Sequence, residues 1–185
     1  MGPDPDMQAV GEQMEQDRAT FHRLLDSATD ADLRRPSNGT KWTNRQLLFH
    51  MLFGYLIVRT LLPLTKLFAR LPGPLSKAFA RLLDATRRPF HLINYLGSCV
   101  GGRVLGPARM GRTLDRVTDN LQRHLTRESP TALRRGMHYP ASWDPFFKDS
   151  MTLADLYCYP TQHFDYHRRQ VTIDDPPATA PSPQK

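Results

Sequence analysis

Cysteine is scarce in this chain of 185 residues: Cys99 and Cys158 are the whole supply. Two are too few for a disulfide framework and leave room for one bridge at most. That scarcity fits a reducing, intracellular setting, so a cytoplasmic protein is expected. The opening residues, MGPDPDMQAV, have neither a basic start nor an apolar centre, which speaks against a secretory signal peptide. No run of about 18 residues is free of charge. Arg59, Lys66 and Arg70 interrupt the most apolar stretch, which speaks against a membrane-spanning helix. No internal repeat and no convincing strand pattern occur.

Acidic residues are scarce in the middle of the chain. Residues 59–135 hold fifteen Lys/Arg against four Asp/Glu, within a chain whose net charge is +7. A basic middle suits phosphates, anionic lipid or an acidic partner, or simply a solvated arginine-rich surface. No interleaving of aromatic and basic residues accompanies it, which argues against nucleic acid as the partner.

What is present is helical period. Val10, Met14, Phe21, Leu24, Leu25 and Ala28 form one stripe over 8–28. Pro36, Asn38 and Gly39 break the pattern over 29–41. A second helix over 43–60 starts at Thr43, with Gln46 completing a capping-box pattern, and is apolar nearly all round. A third, over 107–128, places Pro107 at its start and Met110, Leu114, Val117, Leu121 and Leu125 on one face. The fourth, over 152–173, pairs Thr152 with Asp155 at its start and carries Pro160 inside, which should bend it. Between the second and third lies 61–106, long and apolar. Pro63, Pro72, Pro74 and Pro89 predict two short amphipathic helices there, followed by an irregular Gly-rich stretch around 97-GSCVGG-102. The expectation is an all-α, four-helix bundle in one domain, 1–173, with 61–106 as an apolar insertion. The Pro/Ala/Ser-rich residues 174–185 are expected to be a disordered tail.

Chemistry enters with histidine. His163 and His167 are four apart, so they share one helical face and can share one metal ion. Such a pair arises easily by chance among seven histidines. His50 is the natural third ligand. It sits in LLFHMLFG, in the most apolar helix, where an imidazole must be hydrogen-bonded or ligated. Gly54 would leave open space beside its ring, or simply allow close helix packing. Tyr159, one turn before His163, is a candidate to line a substrate pocket, or a core tyrosine with a satisfied hydroxyl. Asp155 and Asp165 are candidates to orient a ligating imidazole, and Gln170 lies near the same face. His91 and His138 fall in expected loops and are candidates to reach the site, and Arg103, in the Gly-rich stretch, is a candidate to bind an acidic substrate; the plainer reading makes all three solvent-facing, with His124 at a helix boundary. Trp143 is expected to anchor the loop before the last helix. Cys158 points away from the histidine face.

The pattern 40-TKWTNRQLLFHML-52, with Trp42 eight residues before His50, resembles the DinB-like family, as does the last-helix motif 163-HFDYHRRQ-170. The resemblance covers about 8–60 and 107–173, and the segment 61–106 is longer and more apolar than that family leads one to expect. It implies a DinB-type bundle in which His50, His163 and His167 hold a divalent metal, zinc or nickel, at one end. It further implies a metal-dependent enzyme acting on a small-molecule substrate with a low-molecular-weight thiol such as mycothiol or bacillithiol. The reaction types implied are S-transfer, isomerisation and amide hydrolysis, and a homodimer is compatible with such bundles. The competing reading is a helical interaction module that works through the apolar segment 61–83, against a partner chain, a hydrophobic ligand or a membrane surface.

Overall fold

The computed structural model describes residues 5–174. In chain order it contains α1 (Met7–Ser27), α2 (Asp30–Arg34), α3 (Asn44–Phe68), α4 (Gly73–Ala85) and α5 (Arg87–Val104). These are followed by α6 (Pro107–Leu125), α7 (Pro130–Leu133), β1 (Gly136–His138), β2 (Ser150–Thr152) and α8 (Leu153–Arg168). The expected tail, 174–185, lies outside the described residues apart from Asp174.

Four long helices, α1, α3, α6 and α8, form the bundle. The helix α3 packs on both α8 and α6, and α1 packs on both α6 and α8. The apolar stripes seen in the sequence meet in one core that includes Met14, Phe21, Leu47, Met51, Leu114, Leu121, Leu156 and Phe164. Both expected capping boxes form: Thr43 with Gln46 opens α3, and Thr152 with Asp155 opens α8. Asp17 is buried in this core, where Tyr55 Oη and Gln13 Nε2 donate to its two oxygens at 2.7 Å and 2.9 Å.

Three expectations for the connecting segments are corrected. Pro63 does not end the second helix, because α3 runs through it to Phe68. An internal proline forfeits one backbone bond. The burial of Leu62 and Thr65 against the core, on either side of it, holds the helix together regardless. The first of the two short helices expected in 61–106 is therefore largely the end of α3. Pro72 and Pro74 do interrupt the chain and set the start of α4.

The stretch 97-GSCVGG-102 is not irregular but helical, inside α5. Pro89 stands in the first turn of that helix, where backbone N–H groups have no intrahelical partner to lose. The glycines serve close approach. A Cβ on Gly101 would lie 2.2 Å from the Phe49 ring, and one on Gly102 would lie 3.0 Å from Gln46 Cα. They let α5 lie against α3. The third correction is β1 and β2, which pair antiparallel with Met137 opposite Met151. Three residues per strand are too few for an alternating pattern to show in the sequence.

By length and composition alone α3 could cross a membrane, and half of its most apolar window is buried inside the bundle.

Candidate metal centre

The loop between α2 and α3 sets the first wall of the site. Trp42 O accepts from both Ser37 N, at 3.0 Å, and Ser37 Oγ, at 2.8 Å. The Trp42 N–H donates to Thr40 Oγ1 at 3.0 Å. The helix breakers of 36–41 thus form a turn that presents the indole just before the N-cap Thr43. Its ring lies 4.4 Å from that of His50, two turns into α3. Its Nε1–H is buried and finds no hydrogen-bond partner among the described residues.

The helix α8 brings the other two imidazoles. Ring centroids are 4.8 Å apart for His50 and His163, 4.7 Å for His50 and His167, and 4.5 Å for His163 and His167. The near-equal sides describe a triangle, and one nitrogen from each ring falls within 4.8 Å of the others. His50 Nε2 and His163 Nε2 are 3.2 Å apart. Two nitrogens bound tetrahedrally to one ion, at about 2.0–2.1 Å each, would be about 3.3 Å apart.

The outer nitrogens decide which lone pairs face inward. Ser98 Oγ gives its proton to Asn94 O, at 2.9 Å, so toward His50 it can only accept. His50 Nδ1–H is therefore the donor across the 3.2 Å contact to Ser98, and its Nε2 carries the lone pair. In the same way Gln170 Oε1 accepts from His167 Nδ1 at 2.7 Å. Gln170 is itself held by Asn38 N, which donates to its carbonyl at 2.8 Å. Asp155 and Asp165 do not take the orienting role expected of them. Asp155 caps α8 and pairs with Lys148, and Asp165 pairs with Arg169. A serine and an amide do the work instead.

His163 differs from its neighbours. It is 2 % exposed, and its Nδ1 finds no partner among the described residues. That nitrogen faces Gly54, where a Cβ would lie only 2.5 Å away. Gly54 thus serves His163 across the helix interface, rather than His50 on its own helix. A core pair of histidines would explain the His50–His163 contact. It would not explain a third imidazole brought to the same point with its outer nitrogen tied back.

Burial pushes all three imidazoles toward neutrality. It lowers His50 to about 3, with the neighbouring His167 adding to the effect. His163 is driven well below the ordinary value by burial and by both of its neighbours, and His167 is lowered by burial. Neutral imidazole is the metal-ligating form. The depressed values also fix a sign. Between the ordinary histidine value and about 3, the unfolded chain binds more protons than the fold. The Tm of the metal-free protein should therefore fall as pH drops through that window. Asp17, pushed up to about 6 by burial, works the other way. Comparing the wild type with His50→Gln isolates the imidazole: the variant should lose less Tm in acid. Equal losses would contradict this account.

Ser98 supplies a second test. Ser98→Ala removes the acceptor that fixes the His50 tautomer, so divalent-metal affinity should fall about 10–100-fold with the fold retained. Isothermal titration together with circular dichroism would measure both.

Around the triangle, Tyr159 stacks on His163 with ring centroids 5.5 Å apart. Its hydroxyl donates to Asp144 Oδ2 at 2.9 Å. Burial raises the Asp144 carboxyl above the usual range, against the Phe146 N–H and the Tyr159 hydroxyl, which hold it down. Trp143 anchors its loop as expected, donating to Leu83 O at 3.0 Å and stacking on Phe90. His91 and Arg103 are exposed on α5 rather than in loops, and His124 is exposed on α6. His138 lies in β1 against Asp149. Cys158 stands outside the histidine group, with its thiol pushed up to about 11 by burial. Neither Ser98 nor Asp144 stands out in the sequence. Only the small-residue spacing Ser98, Gly101, Gly102 carried a signal for the first, as a helix face meant for close contact.

A family model described as the DinB superfamily matches residues 13–171. No curated protein and no solved structure matches the chain.

Proposed function

The chain belongs to the DinB superfamily, and on that premise we propose that it is a metal-dependent enzyme holding one divalent ion, zinc or nickel, through Nε2 of His50, His163 and His167. The observation that supports this is the convergence of three neutral imidazoles from α3 and α8, two of them oriented by Ser98 and Gln170. When bound by three histidines, such an ion keeps an open position and supplies Lewis acidity.

The chain's own residues shape what approaches that position. His50 and His163 are buried, whereas His167 is partly exposed, so a substrate reaches the centre from the His167 side. Trp42 offers a flat wall beside His50. Tyr159, buried against His163, holds the Asp144 carboxylate in place through its hydroxyl. The reaction proposed is S-transfer, isomerisation or amide hydrolysis, with a low-molecular-weight thiol such as mycothiol or bacillithiol as co-substrate. The setting proposed for this reaction is the cytoplasm.

The test loads purified protein with zinc or nickel and offers each thiol with an electrophilic acceptor or a thiol-bearing amide. Metal-dependent turnover that is lost in His163→Ala supports the proposal. Stoichiometric metal without turnover of any thiol would reduce the reading to a metal-binding bundle. Protein that takes up no divalent ion would overturn it.

A further inference from the structure

The helix α5 is built inside out. Its core-facing side carries small residues: Ser98, Gly101 and Gly102 are buried against α3. Its outward side carries its largest aliphatics. Leu92, Ile93, Leu96, Val100 and Val104 are between 49% and 68% exposed. Leu92, Leu96, Val100 and Val104 are spaced by four, so they form one stripe about 18 Å long at 1.5 Å per residue. Scattered exposed leucines need no explanation, but four exposed aliphatics aligned along most of one helix do.

The charges around the stripe select its occupant. Arg88 and Arg103 are exposed near its two ends, and Arg103 falls within the same helical face as Leu92 and Leu96. Neither forms an ion pair among the described residues. Residues 85–106 contain no Asp or Glu. The nearest acid in sequence, Asp84, accepts from Ser142 Oγ at 2.7 Å. A second copy of α5 laid on this face would bring arginines against arginines with no carboxylate on the helix to pair them. A surface that is apolar within and negative at its rim matches both features, and an anionic bilayer is such a surface.

We propose that the outer face of α5 is a docking surface for an anionic lipid membrane, with Leu92, Leu96, Val100 and Val104 entering the acyl boundary and Arg88 and Arg103 meeting the headgroup phosphates. This places the docking face on 92–104, beyond the segment 61–83, where Leu67, Leu71, Leu75 and Leu82 are exposed as well. It does not depend on the metal centre, although α5 also carries Ser98 on its inner side.

The experiment is co-sedimentation of the full-length protein with phosphatidylcholine vesicles, with and without phosphatidylglycerol. Binding is expected only with the anionic vesicles and should weaken as salt rises. Leu96→Glu with Val100→Glu should reduce it to background, with divalent-metal content and helical circular dichroism unchanged. Should that variant fail to fold, Arg88→Gln and Arg103→Gln change only exposed charges, and each should lower the affinity about fivefold. No binding to anionic vesicles, or equal binding to neutral ones, overturns the proposal. So does a dimer seen by light scattering that Leu96→Glu dissociates, which would assign the face to a second copy.

Discussion

His163→Ala should lower the affinity for a divalent ion by more than about a hundredfold, beyond the range seen when only an orienting partner is removed. The residue is the hub of the triangle. Its Nε2 lies 3.2 Å from His50 Nε2, and its ring is the nearer of the two to that of His167. Removing it leaves two imidazoles, which hold an ion loosely. The linked stability change makes this easy to read. An ion that binds only the fold, at a hundred times its Kd, stabilises by about 2.7 kcal/mol, or roughly 5–11 °C in Tm for a chain of this size. Differential scanning calorimetry with and without zinc or nickel should show that rise for the wild type and for His124→Ala, whose imidazole is exposed and outside the group. The rise should vanish for His163→Ala. A persisting rise would place the ion elsewhere and end the three-histidine reading.

The second large effect is expected from a methyl group. In Gly54→Ala the new Cβ would stand 2.5 Å from His163 Nδ1 and 3.0 Å from its Cε1. The ring cannot retreat far, since Tyr159 stacks on it and His50 lies at its far edge. The imidazole must turn out of the triangle, and metal affinity should fall about 10–100-fold. The stability cost is smaller than that suggests. Overpacking costs about 1–3 kcal/mol, and relieving a mid-helix glycine returns about 1 kcal/mol. Gly11→Ala on α1, where nothing lies within 4 Å of the added Cβ, is the comparison: it should raise Tm slightly and leave metal affinity unchanged. If Gly54→Ala loses stability without losing metal, the glycine serves packing alone.

These two positions also mark what could be seen in the sequence. The bundle was legible because its four long helices carry apolar residues at helical spacing, and because Thr43 and Thr152 have partners three residues on. The histidines were legible for the same reason: a four-residue spacing places His163 and His167 on one face whatever surrounds them. Gly54 could be suspected of making space, but the ring it makes space for comes from another helix, and no local pattern says which. Ser98 was hidden more deeply. Gly97, Gly101 and Gly102 read as chain breakers, because propensity weighs each residue alone. In the fold, the contact between α5 and α3 outweighs that preference and needs Gly101 and Gly102 small. Pro63 misled in the same way, since burial on either side of it outweighs one missing bond.

The separation of the ligands along the chain has a consequence for when the centre can exist. His50 and His163 are 113 residues apart, and between them lie the helices α4 to α7 and the strands β1 and β2. During synthesis the amino-terminal helices are made first, and a contact across so long a loop is among the last a chain can close. Until α8 docks, His50 has no companion imidazole, and His163 with His167 can offer an ion only a two-point grip. Capture of the ion is therefore a closing event, and a loaded centre certifies that the last helix has found its place.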